Sequence, residues 1–292
     1  MLRKSKNTEM NSNNQANQEP FSIGKIFIYI ALFIGALIAI FPFYWMITGA
    51  FKDVAEINLI PPTLFPKNPL NIENFIYAFK VAPFGTYFKN SIVVLIACIA
   101  LCSFTTILAA FAFSRLRFPG RELVFSLLIS LMMVPYEMII ITNYRTMVQW
   151  KLHDTLWALI IPFTSSIFYT YILKGFFDSV PESLYQAAKV DGCSDWKYLW
   201  RVMVPMAKSS LATIVLLNAI TTWNSFMWPM IVINSPKNRT LPFGLYMFMS
   251  EGGQRNERMM AAATIIVLPM IIVFLFARKY IISGMSRGGI KG

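Results

Sequence analysis

Gln186-Ala187-Ala188-Lys189-Val190-Asp191-Gly192, nine residues, then Val202-Met203-Val204-Pro205, is a short polar stretch between two long uncharged ones, Thr155 to Leu173 and Ser209 to Pro236. It reads as a helix, a glycine turn and a second helix. Ser179 followed by Glu182 fits a capping box, in which the hydroxyl takes a free N–H and the carboxylate reaches back. Pro181 is tolerated there because first-turn N–H groups have no helical partner. The first helix is expected to run to about Val190, with Leu184, Ala187 and Ala188 on one face, small enough for another surface to approach closely. Gly192 stands where a left-handed residue ends the helix at least cost. Ser194 is placed to cap the second helix, with Asp195 in its first turn. Trp196, Leu199, Trp200 and Met203 form its apolar stripe, and Pro205 interrupts the pattern. An amphipathic loop lying on a membrane would account for the stripe alone; the small-residue helix, the glycine turn and the second cap together predict a docking knob for a soluble partner.

The rest of the chain is far more apolar. Of its 292 residues 56% are hydrophobic and 14% charged, with mean hydropathy +0.55, against about 25% charge in soluble domains. A bilayer core about 30 Å thick needs roughly 20 apolar residues per helix. Ile26 to Phe51, Asn90 to Ser114, Thr155 to Leu173, Ser209 to Pro236 and Met259 to Ala277 carry no charge, and Leu123 to Tyr144 carries only Glu137. These runs predict an all-α integral membrane protein of six transmembrane helices, spanning about 26–50, 90–114, 123–144, 155–174, 209–232 and 259–279, in one domain over 23–292. Residues 1–22, rich in Asn, Gln, Ser and Lys, are expected to be a disordered tail. The first run is too long for a signal-peptide core.

The net charge of +12 is spread over loops with no stacking platform beside it, which argues against nucleic acid. With both termini placed inside, the inner segments hold 16 Lys and Arg and the outer ones 10; basic bias marks the cytoplasmic side. The loop Ser114 to Arg121 is its clearest expression. Cys98 and Cys102 lie one turn apart inside a span and Cys193 on the inner side, a pattern that supports neither a disulfide nor a metal site. His153 has no carboxylate or cysteine cluster near it in sequence and reads as a surface residue. In the outer segment after the first span, prolines at 61, 62, 66 and 69 keep the chain extended, and Asn71 can cap a short helix, Ile72 to Phe79, that lays Phe75, Ile76 and Phe79 on the bilayer or on neighbouring helices. The outer segment Ile233 to Arg258 is Gly-rich, polar and longer than a plain link.

The knob carries a specific resemblance. Residues 186–205 resemble the Glu-Ala-Ala loop of ATP-binding cassette importer permeases: Ala187, Ala188, Gly192 and Pro205 match the pattern, Val202 and Val204 replace like apolar residues, and Gln186 stands where the family usually has Glu, losing an ionic contact to the ATPase. Pro135 to Leu156 and the closing Gly289-Ile290-Lys291-Gly292 are similar to the carbohydrate, maltose-type branch. The resemblance implies a type I ABC importer permease fold with both termini cytoplasmic and the 179–205 loop, between spans four and five, as coupling loop. It implies a bacterial cell membrane location and a heterodimer with a second permease. Two ABC ATPase subunits would bind ATP and Mg, leaving this chain without a cofactor, a metal or a catalytic role. An extracytoplasmic solute-binding protein would deliver the carbohydrate. Gln186, Ala187, Ala188, Asp191, Gly192 and Pro205 would couple to the ATPase. Gly252, Gly253 and Gln254 would meet the binding protein.

A sugar crossing a bilayer needs hydrogen-bond partners, and polar groups in a span normally face the bundle interior. Asn218, Thr221, Thr222, Trp223 and Asn224 make the fifth run a candidate substrate pathway, with helix–helix adhesion the equal alternative. Glu137, a costly carboxylate within a span, is expected to line an outer vestibule. The chain has no Gly-rich phosphate loop, as a divided machine requires. A permease for glycerol-phosphate or another polar solute is the alternative. An ion-coupled carrier fits less well, for want of a repeat and of buried acid relays, and an intramembrane enzyme lacks a catalytic set.

Overall fold

A computed structural model of the chain describes residues 23–69, 71–251 and 255–288, and every regular element among them is a helix. The expected tail at 1–22, the Gly252–Gln254 segment and the closing Gly289–Gly292 lie outside the described residues. Helix α1 (Ile23–Ala50) is apolar all round, and residues 26–43 are exposed along their whole length. A helix without a polar face is one built for an apolar surrounding. The short α2 (Val54–Ile57) is capped by Asp53, which accepts from Glu56 N at 2.7 Å. Helix α3 (Glu73–Val81) starts one residue later than expected; Asn71 still serves its start by accepting from Glu73 N at 3.1 Å. Its buried face is Asn74 and Ala78, Asn74 Nδ2 donating to Ala50 O and Lys52 O, while Ile76 and Phe79 stay exposed and Phe75 meets Phe51.

Helix α4 (Phe84–Arg115) is the central rod. Among the described residues it is, with α1, one of two unbroken helices long and apolar enough to cross a bilayer. The next three apolar runs are not single rods. α5 (Arg121–Leu131) and α6 (Tyr136–Gln149) meet at 99°: Pro135 cannot donate into the preceding turn, disfavours helix at Val134, and is itself extended at ψ 139°. α7 (Leu156–Ile160), continued by a 3₁₀ turn Ile161–Phe163, meets α8 (Ile167–Ser179) at 42°. Pro162 lies in that turn, and Ser166 restarts the helix by accepting from Tyr169 N at 3.3 Å.

Beyond α8 come α9 (Glu182–Val190), α10 (Asp195–Tyr198), a π-turn Leu199–Met203 and α11 (Val204–Met206). The chain then turns by 80° into α12 (Lys208–Trp223). The run expected over 209–232 ends there; after Asn224–Phe226 a separate α13 (Met227–Val232) follows. The segment Ile233 to Arg258 is not plain loop. It holds a 3₁₀ turn and α14 (Leu241–Glu251), with Leu241, Phe243 and Phe248 buried. α15 (Asn256–Gly288) closes the fold.

Helix α4 packs along α8 and α12, and α15 packs against α1, α12 and α3. Gly244 on α14 lets Tyr87 on α4 lie directly on its backbone: a Cβ there would come within 2.2 Å of the ring. Three buried clusters result. One joins α4, α7 and α13 around Val94, Leu159 and Trp228. A second joins α4, α8 and the 182–206 module around Phe111, Phe177 and Met203. The third joins α3, α4, α14 and α15 around Ala78, Phe84 and Phe248. At the end remote from the module, Asp154 ties two loops together: Oδ1 accepts from Asn234 N and Ser235 N at 3.0 and 2.9 Å, and the Ser235 hydroxyl donates to Oδ2. Partial burial raises the carboxyl's pKa, but these hydrogen bonds outweigh it and set it at about 2.

Candidate functional site

Two constructions answer to the residues singled out in the sequence. The first is the module at 182–206. Its first helix has no capping box. Pro181 is the N-cap and offers no side-chain bond, and Ser179 is the last residue of α8, its hydroxyl donating back to Phe176 O at 2.7 Å. The proline drives the chain into an extended turn (ψ 133°), so Ser179 lies before the turn rather than inside it. Glu182 is thereby released for another partner. Arg115, buried at the end of α4, donates to Glu182 Oε2 at 2.9 Å and to Phe177 O and Val180 O at 2.7 and 2.6 Å. One guanidinium thus closes the end of α8 and holds the start of α9, which a planar fork of donors does well.

Helix α9 ends in a full Schellman motif. Gly192 has φ 70°, its N–H reaches Lys189 O at 3.0 Å, and Cys193 N reaches Ala188 O at 2.8 Å. Ser194 caps α10 through Lys197 N at 3.3 Å. Asp195 then clasps the first helix from the second. Its Oδ1 accepts from Tyr185 OH at 2.6 Å and lies 2.7 Å from Lys189 Nζ. The Lys189 bond first, then that of Tyr185, hold the Asp195 carboxyl below the usual carboxylate range.

The two faces of α9 differ. Tyr185 and Ala188 turn to the core cluster below α4 and α8, so Ala188 packs internally. Gln186, Ala187 and Asp191 are exposed, as is Gly192. Val190 is 88% exposed and Trp196 59%, apolar surface that a water-facing knob has no reason to keep unless something covers it. Gln186 Nε2 donates to Glu182 Oε1 at 3.1 Å. The stripe expected on the second helix is split: Leu199 and Met203 are buried, Trp200 is half-buried and Trp196 stands out. Pro205 is exposed in the last turn before α12.

The second construction is a cavity of about 240 Å³ between α4, α8, α12 and α13. The structure brings Asn218, Thr221 and Thr222 to its wall. It does not bring the other three pathway residues there. Trp223 turns the opposite way, buried in the third cluster against Phe88; Asn224 is the exposed C-cap of α12; Glu137 is exposed in the first turn of α6. A helical face 100° per residue away points elsewhere, which is why Trp223 and Asn224 do not widen the polar arc. Facing α12 across the cavity are Ser165 and Ser166, from the break before α8, and Tyr169, in its first turn. Sequence reasoning missed them, although a Ser-Ser pair two residues after Pro162-Phe163-containing apolar sequence is a visible sign of an interrupted span. Tyr169 on α8 and Thr221 on α12 thus line the same space. His153 packs edge-on against Tyr144 at 5.5 Å, away from both constructions.

The family model of the "binding-protein-dependent transport system inner membrane component" matches residues 103–287, which contain the whole module and most of the cavity wall. The chain belongs to this family. Among its relatives is the arabinooligosaccharides transport system permease protein AraQ of Halalkalibacterium halodurans, 30% identical over 259 residues, covering 88% of this chain and 93% of that protein. Another is a putative ABC transporter permease protein, ORF2, of a Caldicellulosiruptor species, 34% identical over 92% of this chain and 98% of its own. A chain in the crystal structure of a bacterial ABC transporter involved in the import of the acidic polysaccharide alginate superposes with a TM-score of 0.81 at 23% identity, over 90% of this chain and 99% of that one. The fold is therefore the type I ABC permease fold, and the family is one of inner-membrane transport components.

Proposed function

We propose that this protein is the transmembrane permease subunit of an ATP-driven carbohydrate importer. It forms half of the translocation pathway and receives force through the 182–206 module. The observation that carries the reading is the construction of that module: an exposed face at Gln186, Ala187 and Val190, backed by Arg115 and Asp195, which bind it rigidly to α4, α8 and the second module helix. A push on the exposed face is transmitted directly to the ends of two core helices. Family membership supports a transport role, and relatives named for arabinooligosaccharides favour a sugar cargo. In this reading six spans place both termini and the module in the cytoplasm, with the third, fourth and fifth spans broken. A second permease subunit covers the exposed α1, and two ATPase subunits, which bind ATP and Mg, seat the module. An extracytoplasmic solute-binding protein meets the end where Asp154 ties the loops.

The test is uptake into proteoliposomes holding the assembled complex. Expected is accumulation that needs ATP and the cognate binding protein. Uptake driven by a proton or sodium gradient with the ATPases absent would overturn the proposal in favour of an ion-coupled carrier.

A further inference from the structure

The cavity beside Asn218 has a chemical signature beyond being polar, and it bears on the cargo. Among the described residues that line it, none carries a charge. Two of its hydroxyls are turned towards accepting. Thr222 Oγ1 uses its proton on Asn218 Oδ1 at 2.9 Å, and Thr221 Oγ1 uses its own on Leu217 O at 2.9 Å. A hydroxyl has one proton and two lone pairs, so what these two groups retain for the cavity is acceptor capacity. Around this arc stand aromatic side chains, Phe163, Phe168, Tyr169 and Trp228. Trp228 is locked by its indole N–H on Ala158 O at 2.9 Å.

Resting on the transport reading above, we infer that this subunit itself holds an uncharged sugar ring in the cavity and rejects phosphorylated and uronic-acid cargo. Sugar hydroxyls donate as well as accept, so they suit a wall that offers acceptors at Thr221 and Thr222 and donors at the Asn218 amide and the Ser166 hydroxyl, and the partly positive C–H edges of the ring lie against the negative aromatic faces. A phosphate or carboxylate only accepts. In this lining it would meet no cation to offset the loss of water, a penalty of several kcal/mol per ion, and each ~1.4 kcal/mol is tenfold in affinity. At the N-terminus of α8, Ser166 Oγ already occupies the Tyr169 N–H. The inference separates this chain from the glycerol-phosphate alternative, and from the cargo of the alginate transporter that shares its fold.

The experiment uses the assembled complex in nanodiscs without binding protein. Tryptophan fluorescence is titrated with maltotriose, arabinotriose and xylotriose, then with glycerol 3-phosphate and an alginate trisaccharide. Expected is a saturable change with at least one neutral probe, absent in Trp228→Phe, and no saturation with either anion at tenfold higher concentration. Thr222→Val, isosteric but without a hydroxyl, should weaken the neutral probe about 2- to 10-fold, as one hydrogen bond of roughly 0.5–1.5 kcal/mol requires. Saturation by an anion through Trp228, or silence from every neutral probe, overturns the inference. ATP-driven uptake of an anion would sink the inference and leave the importer reading standing; absence of ATP-driven uptake of any solute would sink the importer reading.

Discussion

The 182–206 module and the Asn218 cavity use polar side chains in opposite ways. In the module, full charges are paired: Arg115 with Glu182, and Lys189 with Asp195, at 2.9 and 2.7 Å. In the cavity, neutral hydroxyls and an amide bond within their own helix and leave spare capacity facing inward. The difference follows from what each must do. A lever has to keep its shape under load, and a buried cation that also closes two carbonyls gives one geometry with few alternatives. A passage must bind and release, so its groups cannot be held in strong ionic bonds. The module is a set of fixed joints, and the cavity is a surface of weak, replaceable ones.

The largest effect is expected where the joints meet. Arg115→Met would leave Phe177 O, Val180 O and Glu182 without their shared donor, costing about 3 kcal/mol, mostly from two buried carbonyls that lose its hydrogen bonds at roughly 1–3 kcal/mol each. Thermal inactivation of the purified complex should show it, together with lost ATPase stimulation, while sugar binding in the cavity stays intact. Loss of binding as well would erase the distinction between the two regions. Gly192→Val comes next. Nothing lies within 4 Å of the added Cβ, yet φ is 70°, and a side chain in the left-handed region costs about 1–2 kcal/mol. The spans should fold and uptake should uncouple from ATP hydrolysis; normal ATPase stimulation would show that the turn is not needed for coupling.

Acid should also separate the regions. Asp195 has a depressed folded pKa and Asp154 one of about 2 against an ordinary 3.8. Depressed carboxyls contribute stability above their unfolded value and lose it as pH falls through the folded one. Stability should therefore decline from about pH 4 downwards, and Asp154→Asn should remove part of that dependence by about 1 kcal/mol, the scale of a charge-assisted hydrogen bond over a neutral one. An unchanged pH profile in that variant would show that the Asp154 tie carries no charge of consequence. The smallest effect on stability belongs to Asn218→Leu. Assembly should survive while uptake slows about 2- to 10-fold, one neutral hydrogen bond's worth. Unchanged uptake would reassign Asn218 to packing.

The module was legible because its information is local. Gly192, Ser194 and the Asp195 position follow from turn and cap chemistry within a few residues, and each holds in the structure. The same local rules misplaced Ser179, since Pro181 two residues later ends α8 and starts α9 without it. The apolar runs gave the helical class, yet not the breaks at Pro135 and Pro162, where a window of hydropathy sees composition and no direction.

By itself, then, the chain determined that it is helical, that it is apolar enough for a bilayer, and that one polar knuckle interrupts it, all of which depend on neighbours within a turn or two. Only the tertiary structure decided which polar residues share a space. Arg115 reaches a carboxylate 67 residues away, and Ser165 faces Thr222 across helices that no sequence spacing relates. Such meetings depend on how rods cross and where they bend, and a bend of 42° or 99° redirects every side chain beyond it.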